Sequence, residues 1–239
     1  MYKEYIVSWD IAKQQDATVV QVWRQVPQVI GEKYNERIFT FWDCIRLVKW
    51  EQIPYTEQVR RVSLILGSAE LKNNHDLLID GTGVGQAIAD MIREAKLSPI
   101  EIVFSGGAKP QELYMGNSDK RFGSGMDMNV LRGYSVPKVD MIGAAQTILE
   151  EHRIPPIADI PYASEFERQL LHFQGKVNEK GHTTYGNDNE AKHDDFVASF
   201  LMFCWWVKYC EGNRTNDIEK PVNKTSKNYD WNPLKEFNI

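Results

Sequence analysis

The hydrophobic residues of this chain repeat with a period that changes along its length, and each change marks an element. Residues 4–10, EYIVSWD, form a short apolar run closed by Asp10, which predicts a strand. Residues 17–26, ATVVQVWRQV, are β-branched and alternating and predict a second strand. The polar IAKQQD between the two suits a hairpin loop. Residues 36–48 supply a third strand, and three strands with short links predict an antiparallel meander. At Pro54 the period becomes helical: Val59, Val62, Ile65, Leu66 and Ala69 recur at helical spacing through about Asn73. Residues 76–80, DLLID, read as a short strand buried inside a sheet. Residues 85–95 follow as an amphipathic helix and 100–104 as another strand.

Residues 105–135 are rich in Gly, Asn, Ser and Met, show no clear period, and predict one long mobile loop. Helical spacing returns over 138–154 and again over 164–173, where Ser164 is the expected N-cap and Glu167 completes a capping box. Residues 175–188 predict a hairpin turning at Lys180-Gly181, and 194–209 predict an apolar helix. The order β-β-β-α-β-α-β-α-α-hairpin-α makes an α/β protein: a mixed sheet, three antiparallel strands and then parallel ones, flanked by helices. We expect one domain over 1–210 and a flexible polar tail over 211–239, in which Tyr229, Trp231 and Phe237 are available to dock.

Composition narrows the classes. A chain of 239 residues, 42% hydrophobic and 26% charged, suits one ordinary globular domain and needs no disulfide staples. Its cysteines, Cys44, Cys204 and Cys210, form no Cys-x-x-Cys pair, so a disulfide framework or zinc site is not expected and a reducing compartment fits. No secretory leader is visible at the start, and the greasiest run, FVASFLMFCWWV (196–207), is about half of what crosses a membrane. The formal net charge of −5 gives no general attraction to nucleic acid, so any basic surface must be local.

The candidate chemistry is acidic. Asp10 and Asp80 each end an apolar strand, and Asp194 and Asp195 open an apolar helix. In a βαβ layout the carboxyl ends of strands form the functional edge. If the first and fourth strands are neighbours and the last helix crosses them, these acids converge. Converging carboxylates repel unless a cation neutralises them, and oxygen donors without His or Cys select Mg²⁺ or Mn²⁺. Taken singly, each acid has a plainer reading: Asp10 and Asp80 as turn residues, Asp194 as a helix cap. Of the adjacent pair, Asp194 lies nearer the stripe Val197, Leu201, Cys204 by helical rotation, and both are kept. Asp16, in the loop after the first strand, is placed either to approach a second metal or to bond only within its loop, and the loop role is the expected one.

The stretches VSWDIAKQQDATVV (7–20), LLIDGTGVGQAIADMI (77–92), VPKVDMIGAAQTILEEHRIPPI (136–157) and KHDDFVASFLM (192–202) together resemble the ribonuclease H-like nucleases. Within them the chain looks most like the nuclease domain of the phage terminase large subunit, over residues 4 to about 209. The resemblance implies a two-metal endodeoxyribonuclease that cuts concatemeric viral DNA during genome packaging in the host cytoplasm. It implies ligands at Asp10, Asp80 and one or both of Asp194 and Asp195. Implied partners are double-stranded DNA, a terminase ATPase domain, the small terminase subunit and the portal. The sequence contains no Gly-x-x-x-x-Gly-Lys-Ser/Thr, so we expect the nuclease without the ATPase, and GTGVGQ lacks the lysine of a phosphate loop.

For phosphate contact the long loop and its flank offer Lys109, Lys120, Arg121, Arg132 and Lys138, with Lys138 the expected contact to the scissile strand. Lys176, Lys180 and His182 of the hairpin are placed to gate or grip the duplex, and neither His182 nor His193 is needed as a ligand. Sequence preference should be weak, since no segment looks like a base-reading helix. Rival readings are a junction resolvase or an RNA–DNA hybrid nuclease on the same fold, a non-catalytic packaging module, and a nucleotide binder suggested by GTGVG alone.

Overall fold

The computed structural model describes residues 3–11, 17–30, 37–82, 86–115, 130–157, 160–177, 183–187 and 194–214. A seven-stranded mixed sheet lies at the centre. Its first three strands are β1 (Tyr5–Asp10), β2 (Ala17–Ile30) and β3 (Arg37–Glu51), joined as the antiparallel meander that the sequence predicts. β4 (His75–Asp80) lies parallel to β1 on its other side, and β5 (Ile100–Ser105) lies parallel to β4. The sheet finishes with β6 (Gln111–Met115) and β7 (Val130–Pro137), in the order β3-β2-β1-β4-β5-β7-β6.

Helices cover both faces. α1 (Tyr55–Leu66) and α2 (Gln86–Glu94) bury Val59, Val62, Leu66, Ile88 and Ile92 against Val7, Trp9, Val20, Leu77 and Ile79. On the other face lie α3 (Lys138–Glu150), α4 (Ala163–His172) and α5 (Asp195–Arg214). β8 (Phe173–Val177) and β9 (Thr183–Asn187) form a separate two-stranded hairpin between α4 and α5. Alternation along each strand explains the division: odd residues of β1 serve one core and even residues the other. α5 is apolar almost all round because the sheet, α3 and α4 surround it. Phe196, Val197, Phe200, Leu201, Phe203 and Cys204 are all buried. Among the described residues, no helix is long and apolar enough to cross a membrane.

The expected single loop over 105–135 is not what forms. β6 and β7 lie within it, and β7 inserts between β5 and β6. Its pattern, VLRGYSVP, hides the strand because Gly133 supplies no side chain where β7 crosses closest to β5. A Cβ there would lie 2.0 Å from the Glu101 carbonyl oxygen. Residues 116–129 lie outside the described residues.

Other boundaries move for local reasons. α1 stops at Leu66, not near Asn73; the following turns end on a left-handed Asn73 (φ 62), while buried Leu71 imitates a further helical turn. α3 ends at Glu150 rather than at 154, and His152 (φ 50) turns the chain. The capping box is absent: α4 opens at Tyr162, in a left-handed conformation with no side-chain cap bond, so neither Ser164 nor Glu167 does the capping. α5 continues to Arg214, four residues beyond the expected domain boundary; 215–239 lie outside the described residues. β2 runs through Pro27, which is tolerated because β1 pairs with β2 only as far as Arg24. Beyond that point β2 and β3 form a two-stranded ribbon that exposes Val29, Ile30 and Ile38.

One buried cation ties the layers together. Arg153 is 3% exposed and sits just after α3. Its Nε donates to the Thr40 carbonyl of β3 (2.9 Å), its Nη atoms donate to Glu211 of α5, and its guanidinium lies over Phe39. Truncating one partner of a buried charge network leaves polar groups without compensation. Arg153→Ala is therefore expected to cost about 2–4 kcal/mol, read by urea denaturation.

Burial also silences two thiols. It pushes Cys44 from an ordinary 9.0 up to about 12, and Cys204, enclosed in α5, well upward too. The expected result is that a thiol reagent labels Cys210 but neither of these in the native protein, and all three after unfolding, by mass spectrometry. Because the folded thiols hold their protons longer, this contribution to stability is intact below about pH 9 and declines as pH rises from there toward 12.

Candidate metal-binding edge

The backbone brings Asp10 and Asp80 side by side. β1 and β4 pair in parallel in strict register, from Tyr5↔His75 to Trp9↔Ile79. Asp10 and Asp80 are the next residues on each strand, at the carboxyl edge, with the strands about 4.8 Å apart. Both share the face of Ser8 and Leu78, which is the face that α5 covers.

Three side-chain contacts set the direction of α5. The Ser8 and Ser199 hydroxyls meet at 2.8 Å, and Ser199 Oγ also donates to the Ser8 carbonyl at 3.1 Å. Gln21 Nε2 of β2 donates to the Phe196 carbonyl at 2.7 Å. Near the other end of the helix, Trp206 Nε1 donates to Asp76 Oδ2 at 3.1 Å. Ser8 is near the end of β1 and Asp76 near the start of β4, so α5 runs antiparallel to both strands and its N-terminus overhangs their carboxyl ends.

The offsets then match. From Ser199 back to Asp195 is four residues, about 6 Å along a helix, on the same face. From Ser8 on to Asp10 is two residues, about 6.6 Å along a strand, also on the same face. Asp195 therefore heads toward Asp10. Because α5 is buried on nearly every side, the stripe Val197, Leu201, Cys204 gives no direction; the contact at Ser199 does, and it favours Asp195. Asp195 is half-buried and its Oδ2 is fully buried.

Asp194 has a different setting. Its carbonyl accepts the Ala198 N–H at 2.8 Å, opening the helix, and its carboxylate faces α3, with Oδ2 3.8 Å from Lys138 Nζ. Lys138 also lies over the Phe173 ring, 5.4 Å from its centroid, at the base of the β8–β9 hairpin.

Asp80 does carry out the turn chemistry expected before glycine. Its Oδ1 accepts the Thr82 N–H at 2.7 Å. Gly81 N–H bonds the Ile102 carbonyl at 2.9 Å, and Thr82 Oγ1 accepts from Phe104 N–H at 2.9 Å. The turn is thus pinned to β5. A side chain at Gly81 would be tight there: an added Cβ would lie 3.0 Å from Val103 and 3.3 Å from Glu101 Oε2. Glu101 is itself buried, but it pairs with Ile79 and so lies on the face opposite Asp80.

Two glutamines that sequence reasoning passed over fix the start of α5. Gln169 Oε1 of α4 accepts the Phe196 N–H at 3.0 Å, while Gln21 holds the Phe196 carbonyl. Both are at most 1% exposed. The available signal was Gln21 itself, a polar residue at an inward position of an apolar strand.

Among the described residues, no three His, Cys, Asp or Glu side chains stand close enough together to form a ready group of metal ligands. Of the basic candidates, Lys138 lies beside Asp194, whereas Lys109 is exposed in the turn between β5 and β6, and Arg132 is on β7 with its side chain outside the described set. The same holds for the Lys176 side chain, and Asp16, Lys120, Arg121, Lys180, His182 and His193 lie wholly outside it.

No protein-family model matches this chain, and no curated protein matches it in sequence. Solved structures match it in shape. The large terminase nuclease from thermophilic phage G20c, crystallised with bound magnesium, is 16% identical with a TM-score of 0.52, covering 84% of this chain and 80% of that one. The same nuclease with bound cobalt is 15% identical, also at 0.52, with the same coverage. The large terminase nuclease domain of Thermus phage P74-26 is 13% identical at 0.50, covering 84% of this chain and 77% of that one. At such identities the agreement is one of fold, and it is the ribonuclease H-like fold that the sequence implied.

Proposed function

We propose that this chain, which carries the fold of the phage large terminase nucleases, is a divalent-metal-dependent DNA endonuclease that cuts concatemeric viral DNA during packaging. The observation that carries the reading is the register of β1 and β4, which sets Asp10 beside Asp80 under the N-terminus of α5. Asp10 and Asp80, with Asp195 and Asp194 at the start of α5, offer only carboxylate oxygens at the carboxyl edge of a parallel pair; they do not stand as a ready ligand group in this fold, and a hard ion such as Mg²⁺ or Mn²⁺ is proposed to draw them together. The fold's solved examples include one with bound magnesium and one with bound cobalt, which supports a divalent site on it.

Two bound ions would activate a water and stabilise the leaving oxygen of a phosphodiester. Asp10, Asp80 and the Asp194/Asp195 pair are the residues that would hold such ions. The chain's own residues do the positioning. Gln21 and Gln169 grip the backbone of Phe196 and so hold Asp195 in place, and the Thr82 N–H aims Asp80. Lys138, just past the carboxyl end of β7, and Lys109, in the turn after β5, are proposed to hold backbone phosphates, and Arg132, at the opposite, amino end of β7, is proposed for a more distant one. The proposed setting is double-stranded DNA in the host cytoplasm, with a terminase ATPase domain, small subunit and portal as partners.

The test is nicking of supercoiled plasmid with Mg²⁺, Mn²⁺ and chelator. Metal-dependent nicking that chelator abolishes is the expected result. Its absence with every divalent ion would favour a non-catalytic module instead. Running plain duplex, four-way junction and RNA–DNA hybrid side by side distinguishes the packaging reading from the other nucleases of this fold.

A further inference from the structure

Lys138 occupies a position that the proposed reaction does not explain by phosphate contact alone. It is the first residue of α3, directly after Pro137 ends β7, and its side chain is only 27% exposed. It lies 3.8 Å from Asp194 Oδ2 on one side and over the Phe173 ring on the other. Three elements meet there: the N-terminus of α3, the N-terminus of α5 and the base of the β8–β9 hairpin. A lysine at a helix N-terminus opposes the helix dipole, which favours anions at that end. The Asp194 carboxylate and the Phe173 face supply the compensating attraction.

The acids at this edge are held by local partners. Asp80 Oδ1 accepts from Thr82, and Asp194 Oδ2 faces Lys138. For Asp194 to serve a divalent ion, that ion and the Lys138 ammonium must compete for the same carboxylate, and the two cations also repel each other. We propose, resting on the metal-dependent reading above, that Lys138 is a positioning residue that competes with the divalent ion for Asp194 and sets the affinity of the site. Removing the ammonium then has two opposite effects: the ion binds more tightly, while cleavage slows because the phosphate loses a cation. A merely structural lysine would give one sign only, since loosening the edge would weaken both.

The experiment is isothermal titration of the whole chain with Mn²⁺ and with Mg²⁺, alongside plasmid nicking at saturating metal. Lys138→Met, which keeps length and apolar stem, is expected to bind the ion roughly three- to tenfold more tightly and to nick more slowly. Lys138→Arg keeps the charge and should return affinity toward wild type. In an Asp194→Asn background the Lys138→Met gain should shrink to the small part that direct repulsion between the two cations supplies, because the competition acts through that carboxylate. Unchanged or weakened affinity in Lys138→Met, or a gain that keeps its full size in Asp194→Asn, overturns the proposal while leaving a metal-binding site standing. A wild-type chain that binds neither ion overturns both. Circular dichroism of each variant identifies misfolding, and for a misfolded Lys138→Met the comparison passes to Lys138→Gln, judged by the same affinities.

Discussion

Asp10→Ala and Asp80→Ala are each expected to lower metal-dependent nicking on the order of 10³-fold or more, to the background of the assay. Each carboxylate ends its strand at an only partly buried position, so truncation opens no cavity and the sheet keeps its register. Asp80→Ala loses the bond from Thr82 N–H, about 1 kcal/mol, and Asp80→Asn retains an acceptor there as a control. Asp10→Ala removes one of several like charges from a shared edge, which lowers repulsion. Its Tm should therefore stay within a few degrees of wild type even as activity disappears. Stability kept and activity lost is the signature of a site residue. Activity retained in either variant with Mg²⁺ or Mn²⁺ removes that aspartate from the reaction.

Gly133→Ala is expected to be the most damaging small substitution in the sheet. Gly133 of β7 pairs with Glu101 of β5, and an alanine Cβ would lie 2.0 Å from the Glu101 carbonyl oxygen and 2.7 Å from its carbonyl carbon and amide nitrogen. All three are backbone atoms, so no rotamer change relieves the overlap, and the strands themselves must separate. A cost of about 3–5 kcal/mol follows, which for a chain of this size lowers Tm by roughly 10 °C. The consequence reaches the site, because β7 leads through Pro137 to Lys138. Differential scanning calorimetry reads the first effect and Mn²⁺ titration the second. A Tm within about a degree of wild type would show that β5 and β7 are not held as closely as described.

What could be read from the sequence and what could not differ by physical cause. Asp10 and Asp80 were visible because an apolar run that ends in a carboxylate leaves a periodic signal, and parallel pairing then puts strand ends together. The choice within Asp194 and Asp195 was not visible. It depends on which side of α5 faces β1, and a helix buried all round carries no stripe to reveal it; the Ser8–Ser199 contact spans 191 positions in sequence. β6 and β7 were missed because Gly133 and the polar residues of QELYM break the alternation on which strand recognition depends. Gln21 and Gln169 look like ordinary polar residues until packing buries them against the backbone of Phe196. In each case the hidden feature is a long-range contact rather than a local preference.

Carboxylates from β1, β4 and the start of α5 are proposed to bind a divalent ion together. Anomalous scattering from crystals of the wild-type chain grown with Mn²⁺ tests this most directly. The expected result is a manganese peak coordinated by Asp10 and Asp80 oxygens, with Asp195 or Asp194 completing the protein ligands. A fully occupied Mn²⁺ elsewhere, with Asp10 and Asp80 contacting no ion, would contradict it.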